Sequence, residues 1–367
     1  MINLDELVAQ HARPACDLSV LIPARNEMFL ARTVEDVLAK IRANTEVIVI
    51  ADGAPADPPV MDDPRVLVIT LPESIGQRAA TNFAARLSNA TYVMKLDAHC
   101  AMDEGFDRKL IDADLEIGRP DLTQIPAQYN LHAFNWKCSA CGIQIYQGQT
   151  PKECATCHST APQERVIVWE RRKRRPKGTP EGGPEGSGSF VRTEFWRFDH
   201  TLHFQYDNTQ GKRPESQGEL ADVMSSIGAC WFMRRSRFFE LGGFDERHGS
   251  WGQYGTELAC KTWLSGGRQI VNKRTWYAHL FRTQGGDFSF PYALSGKQVD
   301  VARKHSRDMW YHNKWEGQIY PLSWMLEKFT PVVGWHVADK ADDGEREKRL
   351  LEIIQRGEEF YASRQTP

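Results

Sequence analysis

A carboxylate and an imidazole stand two residues apart in the segment KLDAHC, as Asp97 and His99. The residues before them are apolar and β-favouring, which predicts a strand that ends at this pair. Side chains two apart on a strand share a face, so both can converge on one divalent ion. A mixed oxygen and nitrogen set suits manganese, with zinc, cobalt and magnesium as alternatives. Taken alone, the triplet is weak evidence for a metal and favours an aspartate that caps the next turn.

Four cysteines have the spacing of a second kind of metal site. Cys138, Cys141, Cys154 and Cys157 form the pattern C-x2-C-x12-C-x2-C. Two paired thiolates of this kind can surround one Zn²⁺ tetrahedrally, which predicts a zinc ribbon rather than two disulfides. The ribbon either stabilises a long insert or contributes to binding. The remaining cysteines stand in apolar segments and are expected to be core residues.

A basic run follows the cysteines. It reads ERRKRRPKG and continues into PKGTPEGGPEGSGS, which has the composition of a mobile loop. Trp136, Trp169 and Trp196 are near it in sequence. Basic groups beside aromatic rings suit a phosphate backbone and extruded bases. A solvated charged loop explains the same run.

The first hundred residues alternate strands and helices. Apolar β-favouring runs end at Arg25, Asp52 and Asp97, and a segment rich in helix formers begins after Gly76. Buried strands separated by helices predict a parallel α/β sheet, whose ligands bind at the carboxyl ends of the strands. The three polar residues fall at that edge of the sheet.

The regular pattern breaks after these residues, and predicted strands and helices resume in the second half. GACWFMRRSRFFELGGFDE predicts a strand and a short helix, YGTELACKTWLSGG a helix, RQIVNKRTWYAHLFR a strand, and the tail from about 295 further helices. The predicted organisation is a nucleotide-binding half (1–135), the zinc ribbon (136–160), a basic and Gly/Pro-rich mobile loop (161–190), an acceptor half (191–290) and a helical extension (291–367).

Composition excludes some classes of protein. The chain has 367 residues, 41% hydrophobic and 26% charged, with a formal net charge of −2. This is the balance of a soluble globular protein and not of a polycation that binds nucleic acid with its whole surface. No apolar run approaches the roughly 18 residues of a membrane span, and the first residues lack a signal-peptide pattern. We therefore expect a cytoplasmic protein with no membrane partner.

Six segments together resemble GT-A glycosyltransferases of the family 2 and family 27 type, the latter including the polypeptide N-acetylgalactosaminyltransferases. In chain order they are VLIPARNE, IVIADGA, GQRAATNFAA, KLDAHC, GACWFMRRSRFFELGGFDE and WYAHLFR. Their order is that of the family, and they span residues 18–282. The resemblance implies a Rossmann-like GT-A fold, here with the zinc ribbon inserted and a helical C-terminal tail.

The resemblance also implies roles for particular residues. Asp97, His99 and His279 would hold a catalytic Mn²⁺ or Mg²⁺, and Zn²⁺ would occupy the ribbon. Asp52 would accept the uracil N–H, and Arg78, at a helix start, would face the diphosphate. The expected nucleotide-sugar pocket comprises Pro23, Ala24, Arg25, Glu27, Asp52, Gly76, Arg78 and Lys95. The alternatives are a turn-forming Asp52, a helix-surface Arg78 and a core His279.

One segment departs from the family pattern. Where the family commonly has WGGEN or WGGED, this chain has GSWGQYGTELA, so that Tyr254 and Gly255 replace the acidic and amide residues. Glu257 matches a later acidic residue and could serve as the base of an inverting reaction. Without a side-chain base the reaction would retain configuration, which the DxH and HLFR segments favour. Trp251 is a candidate for the acceptor or sugar pocket.

The expected function is metal-dependent transfer of a sugar from a nucleotide donor, with UDP implied by the resemblance, to an acceptor hydroxyl. The ribbon and basic run point to DNA carrying hydroxymethylated pyrimidines, a substrate of some viral enzymes, in which case the location is the host cytoplasm. The alternatives are a protein or glycan acceptor, or an inactive GT-A-like module that binds nucleic acid. The sequence does not indicate an oligomeric state.

Overall fold

The computed structural model describes residues 3–174, 189–281, 296–335 and 343–365. The strands of the first half are β1 Leu18–Ala24, β2 Thr45–Asp52, β3 Val66–Leu71, β4 Tyr92–Leu96, β5 Cys100–Met102, β6 Leu122–Cys138, β7 Gln144–Tyr146 and β8 Gln163–Arg171. Those of the second half are β9 Arg192–Thr193, β10 Trp196–Phe198, β11 Phe204–Tyr206, β12 Leu220–Asp222, β13 Cys230–Arg234 and β14 Arg268–His279.

The helices lie between and after these strands. They are α1 Leu4–His11, α2 Leu30–Lys40, α3 Gln77–Leu87, α4 Phe106–Ile117, α5 Arg235–Glu240, α6 Tyr254–Leu264, α7 Gly296–Tyr311, α8 Leu322–Lys328 and α9 Asp343–Gln365. Short 3-10 helices span Gln210–Lys212, Pro214–Ser216 and Glu246–His248.

A mixed sheet forms the centre of the molecule. Its main order is β12-β14-β6-β13-β4-β1-β2-β3. The parallel prediction is confirmed for the first four strands, since β1 pairs in parallel with β2 and β4, and β2 with β3. No strand direction was predicted for the second half, where β13 runs antiparallel to both β4 and β6, and β14 runs parallel to β6. The described residues between β6 and β13 form strands and short 3-10 helices and no α-helix, so no helical crossover in this part of the chain imposes a parallel pairing.

Both faces of the parallel strands are buried. Val20 of β1 packs with Val34 of α2 on one face, whereas Leu21 packs with Phe83 of α3 on the other. Alternate strand residues point to opposite faces, so a strand covered by helices on both sides is apolar throughout. This arrangement leaves the carboxyl ends of the strands as the open edge of the sheet.

The cysteine-containing segment continues the sheet instead of forming a separate domain. Strand β6 runs without interruption into Cys138, and β7 and β8 pair with its distal half. The predicted boundary at 135/136 therefore falls inside a strand. The predicted mobile loop at 161–190 is also wrong in part, because residues 163–171 form β8, which is held by its register from Cys138↔Gln163 to Leu131↔Arg171. Residues 175–188 of that loop lie outside the described residues.

The predicted helical extension is observed as α7, α8 and α9. Trp263 of α6, Trp310 of α7 and Trp335 are members of one buried cluster with α8, which joins the extension to the rest of the molecule. The predicted boundary at 290/291 lies outside the described residues. In the described part of the chain, no helix combines the length and apolar character needed to cross a bilayer.

Candidate active site

Three side chains meet at the open edge of the sheet. Asp97 follows β4, His99 precedes β5, and His279 ends β14, whose pairing with β5 sets His279 opposite Cys100. The Nε2 atom of His279 lies 3.1 Å from Nε2 of His99 and 3.2 Å from Oδ2 of Asp97. Ligand atoms about 2.1 Å from a metal and at right angles to each other are about 3.0 Å apart. The observed spacing therefore fits one divalent ion.

Neighbouring groups prepare these side chains for a metal. Oε2 of Glu27 lies 3.1 Å from Nδ1 of His99, which leaves Nε2 directed at the other ligands. Burial lowers the pKa of His279 to about 4, so its imidazole is neutral at physiological pH. Burial alone would raise the pKa of Asp97, but the Lys95 ammonium and the hydrogen bond from His279 hold it well below the usual range. Asp97 is therefore ionised.

A cavity of about 460 Å³ opens beside the three side chains. Its volume is in the range of small-molecule sites. The first half of the chain contributes, among others, Pro23, Arg25, Glu27, Gln77, Asp97 and His99. The second half contributes, among others, His203, Phe204, Tyr206, Trp251, His279, Val299 and Arg303.

Comparison with solved structures decides the fold. A crystal structure described as GalNAc-T7 with UDP, GalNAc and Mn²⁺ superposes with a TM-score of 0.52 at 19% identity, covering 85% of this chain and 54% of that one. The chain has a GT-A fold. The expected fold is thus confirmed.

Sequence comparisons agree with the GT-A fold. Residues 19–178 match the model for glycosyl transferase family 2. A putative polypeptide N-acetylgalactosaminyltransferase 13 of Drosophila melanogaster is 24% identical over 329 residues, 85% of this chain and 48% of that protein. A probable N-acetylgalactosaminyltransferase 8 of Caenorhabditis elegans is 35% identical over 69 residues, 19% of this chain and 16% of that protein. The chain thus spans about half the length of the first relative. The matches support a glycosyltransferase resembling this group.

The GT-A cavity includes some of the predicted nucleotide-sugar residues and not others. Pro23, Arg25 and Glu27 line it. Buried Asp52 instead accepts hydrogen bonds from Ser74 Oγ (2.9 Å) and from the backbone N–H groups of Ile75 (2.6 Å) and Gly76 (3.0 Å). In this arrangement Asp52 holds the turn before α3. Ala24, Gly76, Arg78 and Lys95 are buried and do not line the cavity.

Arg78 and Glu257 form a buried ion pair. Nε of Arg78 donates to Oε2 of Glu257 at 2.8 Å, and neither side chain is more than 1% exposed. Arg78 also donates to the carbonyl oxygens of Gly249 (3.3 Å) and Gly252 (2.5 Å). Neither residue lines the cavity. The geometry therefore favours a role for the pair in positioning the loop that carries Trp251, and not contact of Arg78 with the diphosphate or a role of Glu257 as the base.

Tyr254 and Gly255, which replace the acidic and amide residues of the family pattern, have packing roles at the start of α6. The Tyr254 ring lies 5.0 Å from Nζ of Lys95, and its hydroxyl donates to Oγ1 of Thr81 at 2.9 Å. A Cβ on Gly255 would lie 1.9 Å from the carbonyl oxygen of Ser226. The start of α6 therefore packs directly against backbone at the cavity, where a larger residue does not fit.

Sequence reasoning missed several cavity residues. Phe204 and Tyr206 of β11 and Arg303 of α7 belong to no motif, and only their position in the fold brings them to the site. In the described part of the chain, Arg303 has no ion pair and its buried Nε has no hydrogen-bond partner. Burial and the charge of Arg303 lower the pKa of His203, another lining residue. This second-half wall is thus aromatic and cationic.

The four cysteines converge at the end of β6. The Sγ atoms of Cys138 and Cys157 are 3.8 Å apart, those of Cys141 and Cys154 are 3.7 Å apart, and all four lie within 4.8 Å of one another. Two similar turns hold them, in which the N–H of Gly142 donates to Cys138 O and that of His158 to Cys154 O. Backbone N–H groups, chiefly that of Cys141, lower the pKa of the Cys138 thiol to about 6.

Arg165, before the basic run, and Arg171, within it, lie over aromatic rings. The Arg165 guanidinium lies 4.8 Å from the Trp136 ring, and that of Arg171 lies 4.2 Å from the Phe190 ring and 4.6 Å from the Trp276 ring. The three tryptophans expected to stack on bases are buried, with exposures of 4% (Trp136), 6% (Trp169) and 0% (Trp196). The end of the run, from Arg175, lies outside the described residues.

Proposed function

We propose that the protein is a divalent-metal-dependent glycosyltransferase that moves a sugar from a UDP-sugar to an acceptor hydroxyl. One observation carries the proposal: Asp97, His99 and His279 converge at ligand spacing on the wall of an open cavity. The similarity to GalNAc-T7, described with UDP, GalNAc and Mn²⁺, supports the choice of donor and metal.

The reaction breaks the bond between the anomeric carbon and the diphosphate oxygen and forms a bond from that carbon to the acceptor oxygen. The nucleotide departs as UDP, and an oxygen of its diphosphate takes up the hydroxyl proton. A bound divalent ion supplies positive charge for the diphosphate that forms. Glu27 fixes the His99 ring, and Lys95 keeps Asp97 ionised, so the ligand set is preorganised before substrate binds.

Retention of anomeric configuration is the stereochemistry that we propose. An inverting reaction needs a carboxylate that can accept the hydroxyl proton. Glu257 is fully buried and paired. Among the described lining residues, two carry carboxylates. That of Glu27 contacts His99, and that of Asp97 contacts Lys95 and His279. The site therefore favours a mechanism without a protein base.

We propose a peptide hydroxyl as the acceptor. The relative that matches 85% of the chain carries the name putative polypeptide N-acetylgalactosaminyltransferase 13. The second-half wall offers Phe204, Tyr206 and Trp251 for apolar contact with a peptide. DNA has less support, because Arg165 and Arg171 cover aromatic rings and the nearby tryptophans are buried.

We further propose that Cys138, Cys141, Cys154 and Cys157 hold Zn²⁺. Thiolates about 2.3 Å from a tetrahedral zinc ion are about 3.8 Å apart. The two Sγ separations in the structure, 3.8 and 3.7 Å, agree with this value. Zinc content measured on the purified protein tests the site, and a Cys138→Ser variant should lose the ion.

The acceptor is tested by transfer from a radiolabelled UDP-sugar with Mn²⁺ to two substrates. One is a library of Ser/Thr peptides, and the other is duplex DNA with hydroxymethylated pyrimidines beside unmodified duplex. We expect label in peptides and not in DNA, and loss of it in His279→Ala but not in His312→Ala, a partly exposed control. Label in hydroxymethylated DNA alone would contradict the peptide acceptor and restore the DNA prediction.

A further inference from the structure

A β-bulge in β8 turns one tryptophan towards the metal site. The register between β6 and β8 shifts between His132 and Phe134, where Trp169 adds an extra residue to β8. Trp169 has a φ of +60°, a conformation that bulky residues rarely adopt. Bulges often re-aim a side chain beside functional sites. Here the indole is 6% exposed, and its ring centroid lies 5.7 Å from that of Phe29.

Phe29 connects this tryptophan to the metal ligands. It caps α2 directly after the loop that carries Glu27, whose carboxylate contacts Nδ1 of His99 at 3.1 Å. Phe134 of β6 also stacks on Phe29, with ring centroids 5.9 Å apart. The path from β6 and β8 to His99 therefore consists of ring contacts on Phe29, the short chain segment from Phe29 back to Glu27, and the contact of Glu27 with His99.

The same buried cluster reaches His279. Its members are Phe29, Ala101, Tyr129, Leu131, Ala133, Phe134, Trp136, Trp169, Ala278 and Leu280. Ala278 and Leu280 flank His279, and the N–H of Leu280 donates to the carbonyl oxygen of His99 at 3.1 Å. One apolar cluster thus underlies two of the three metal ligands.

The four-cysteine site lies at the far end of the β6–β8 strand pair, which contributes most residues of this cluster. Strand β6 reaches Cys138, and the β6–β8 register begins at the pair Cys138↔Gln163. Trp136 stands two residues before Cys138, packs on Phe134 at 5.3 Å and is covered by the Arg165 guanidinium at 4.8 Å. A metal on the thiolates would join the turns at both ends of the ribbon and fix the separation of β6 and β8.

We propose that the zinc ribbon is a brace for the catalytic metal site. Zinc on the four cysteines holds the β6–β8 ladder, Trp169 and Phe134 hold Phe29, and Phe29 holds the loop that presents Glu27 to His99. Trp169 and Phe29 are positioning residues in this account and touch no substrate. The proposal rests on the metal site of the proposed function. It assigns the ribbon a role in catalysis that requires no contact with nucleic acid.

The test measures affinity for Mn²⁺ by electron paramagnetic resonance of the free ion, together with zinc content, in the full chain. Trp169→Ala should keep its zinc and bind Mn²⁺ about 10-fold more weakly, the lower end of the loss caused by removing a hydrogen-bond partner of a metal ligand, because Glu27 would no longer be held against His99. Trp169→Phe should restore most of the affinity. The matched control is Trp263→Ala, which empties a buried site in the separate α6–α8 cluster and should leave Mn²⁺ affinity unchanged.

A second variant tests the zinc end of the path. Cys141→Ser, at an exposed ligand, should lose zinc and weaken Mn²⁺ binding to the same degree as Trp169→Ala. If the zinc-free protein, or folded Trp169→Ala, binds Mn²⁺ as wild type does, the brace is refuted. If Trp169→Ala does not fold, unchanged Mn²⁺ affinity in Phe29→Leu refutes it. His279→Ala separates the two proposals, because a variant that still binds Mn²⁺ would refute the catalytic metal site itself.

Discussion

Replacing Glu257 with glutamine distinguishes a structural carboxylate from a catalytic base. Its Oε2 accepts from Arg78 Nε at 2.8 Å, and its Oε1 accepts from Asp245 N at 2.6 Å and lies 3.1 Å from Lys261 Nζ. The carboxylate is completely buried. Removing one member of a buried ion pair costs about 3–5 kcal/mol because the partner charge stays buried. Glu257→Gln should therefore destabilise the fold by that amount.

Thermal unfolding followed by circular dichroism measures this loss. At about 2 °C per kcal/mol for a chain of this size, the midpoint should fall by about 6–10 °C. The matched control is Glu240→Gln, whose carboxylate is 62% exposed and pairs with Arg237, and it should move the midpoint by about 1 °C or less. Below the transition, turnover per folded molecule should persist. An unchanged midpoint with kcat reduced about 10²–10⁴-fold would refute the reasoning and make Glu257 a base.

Two further predictions concern the same region. Burial lowers the pKa of His248 to about 4 in the folded protein, whereas its pKa in the unfolded chain is the ordinary 6.5. As the pH falls below about 6.5, the unfolded chain therefore takes up the proton first, and the free energy of unfolding decreases. Between pH 7.5 and pH 5, His248 should lower the free energy of unfolding by about 2 kcal/mol. Urea unfolding of His248→Gln should lack that part of the pH dependence. Gly255→Ala should lose at least about 3 kcal/mol of stability, because its Cβ would meet the carbonyl oxygen of Ser226. Gly344→Ala, whose Cβ would have no neighbour within 4 Å, should lose none. Equal thermal unfolding midpoints for these two variants would contradict the close approach at α6.

The sequence was most informative where local pattern and chemistry coincide. Asp97 and His99 lie on one short segment, and the strand before them is apolar on both faces, so their place at the sheet edge follows from the sequence. The Cys138–Cys157 spacing was equally informative, because two short turns bring the thiols together. In both cases the residues that meet are close in sequence or repeat a simple spacing.

Long-range pairing was not visible in the sequence. The partnership of Arg78 with Glu257 joins residues 179 positions apart, and nothing in either segment indicates that both charges are buried. The family resemblance predicted that Asp52 accepts the uracil N–H, yet its carboxylate accepts hydrogen bonds from the turn before α3. The bulge at Trp169 depends on the register of β6 and β8, which composition does not determine. Arg303 reaches the cavity only because α7 packs beside the 3-10 helix Glu246–His248.

The central claim is that the metal ligands serve transfer from a UDP-sugar. The most direct measurement is UDP release from a panel of UDP-sugars, with and without Mn²⁺ and in the presence of the peptide library, for wild type, His279→Ala and the control His312→Ala. The account predicts release from at least one donor that requires Mn²⁺, is abolished in His279→Ala and is retained in His312→Ala. Silence with every donor, or release that survives in His279→Ala, would contradict it.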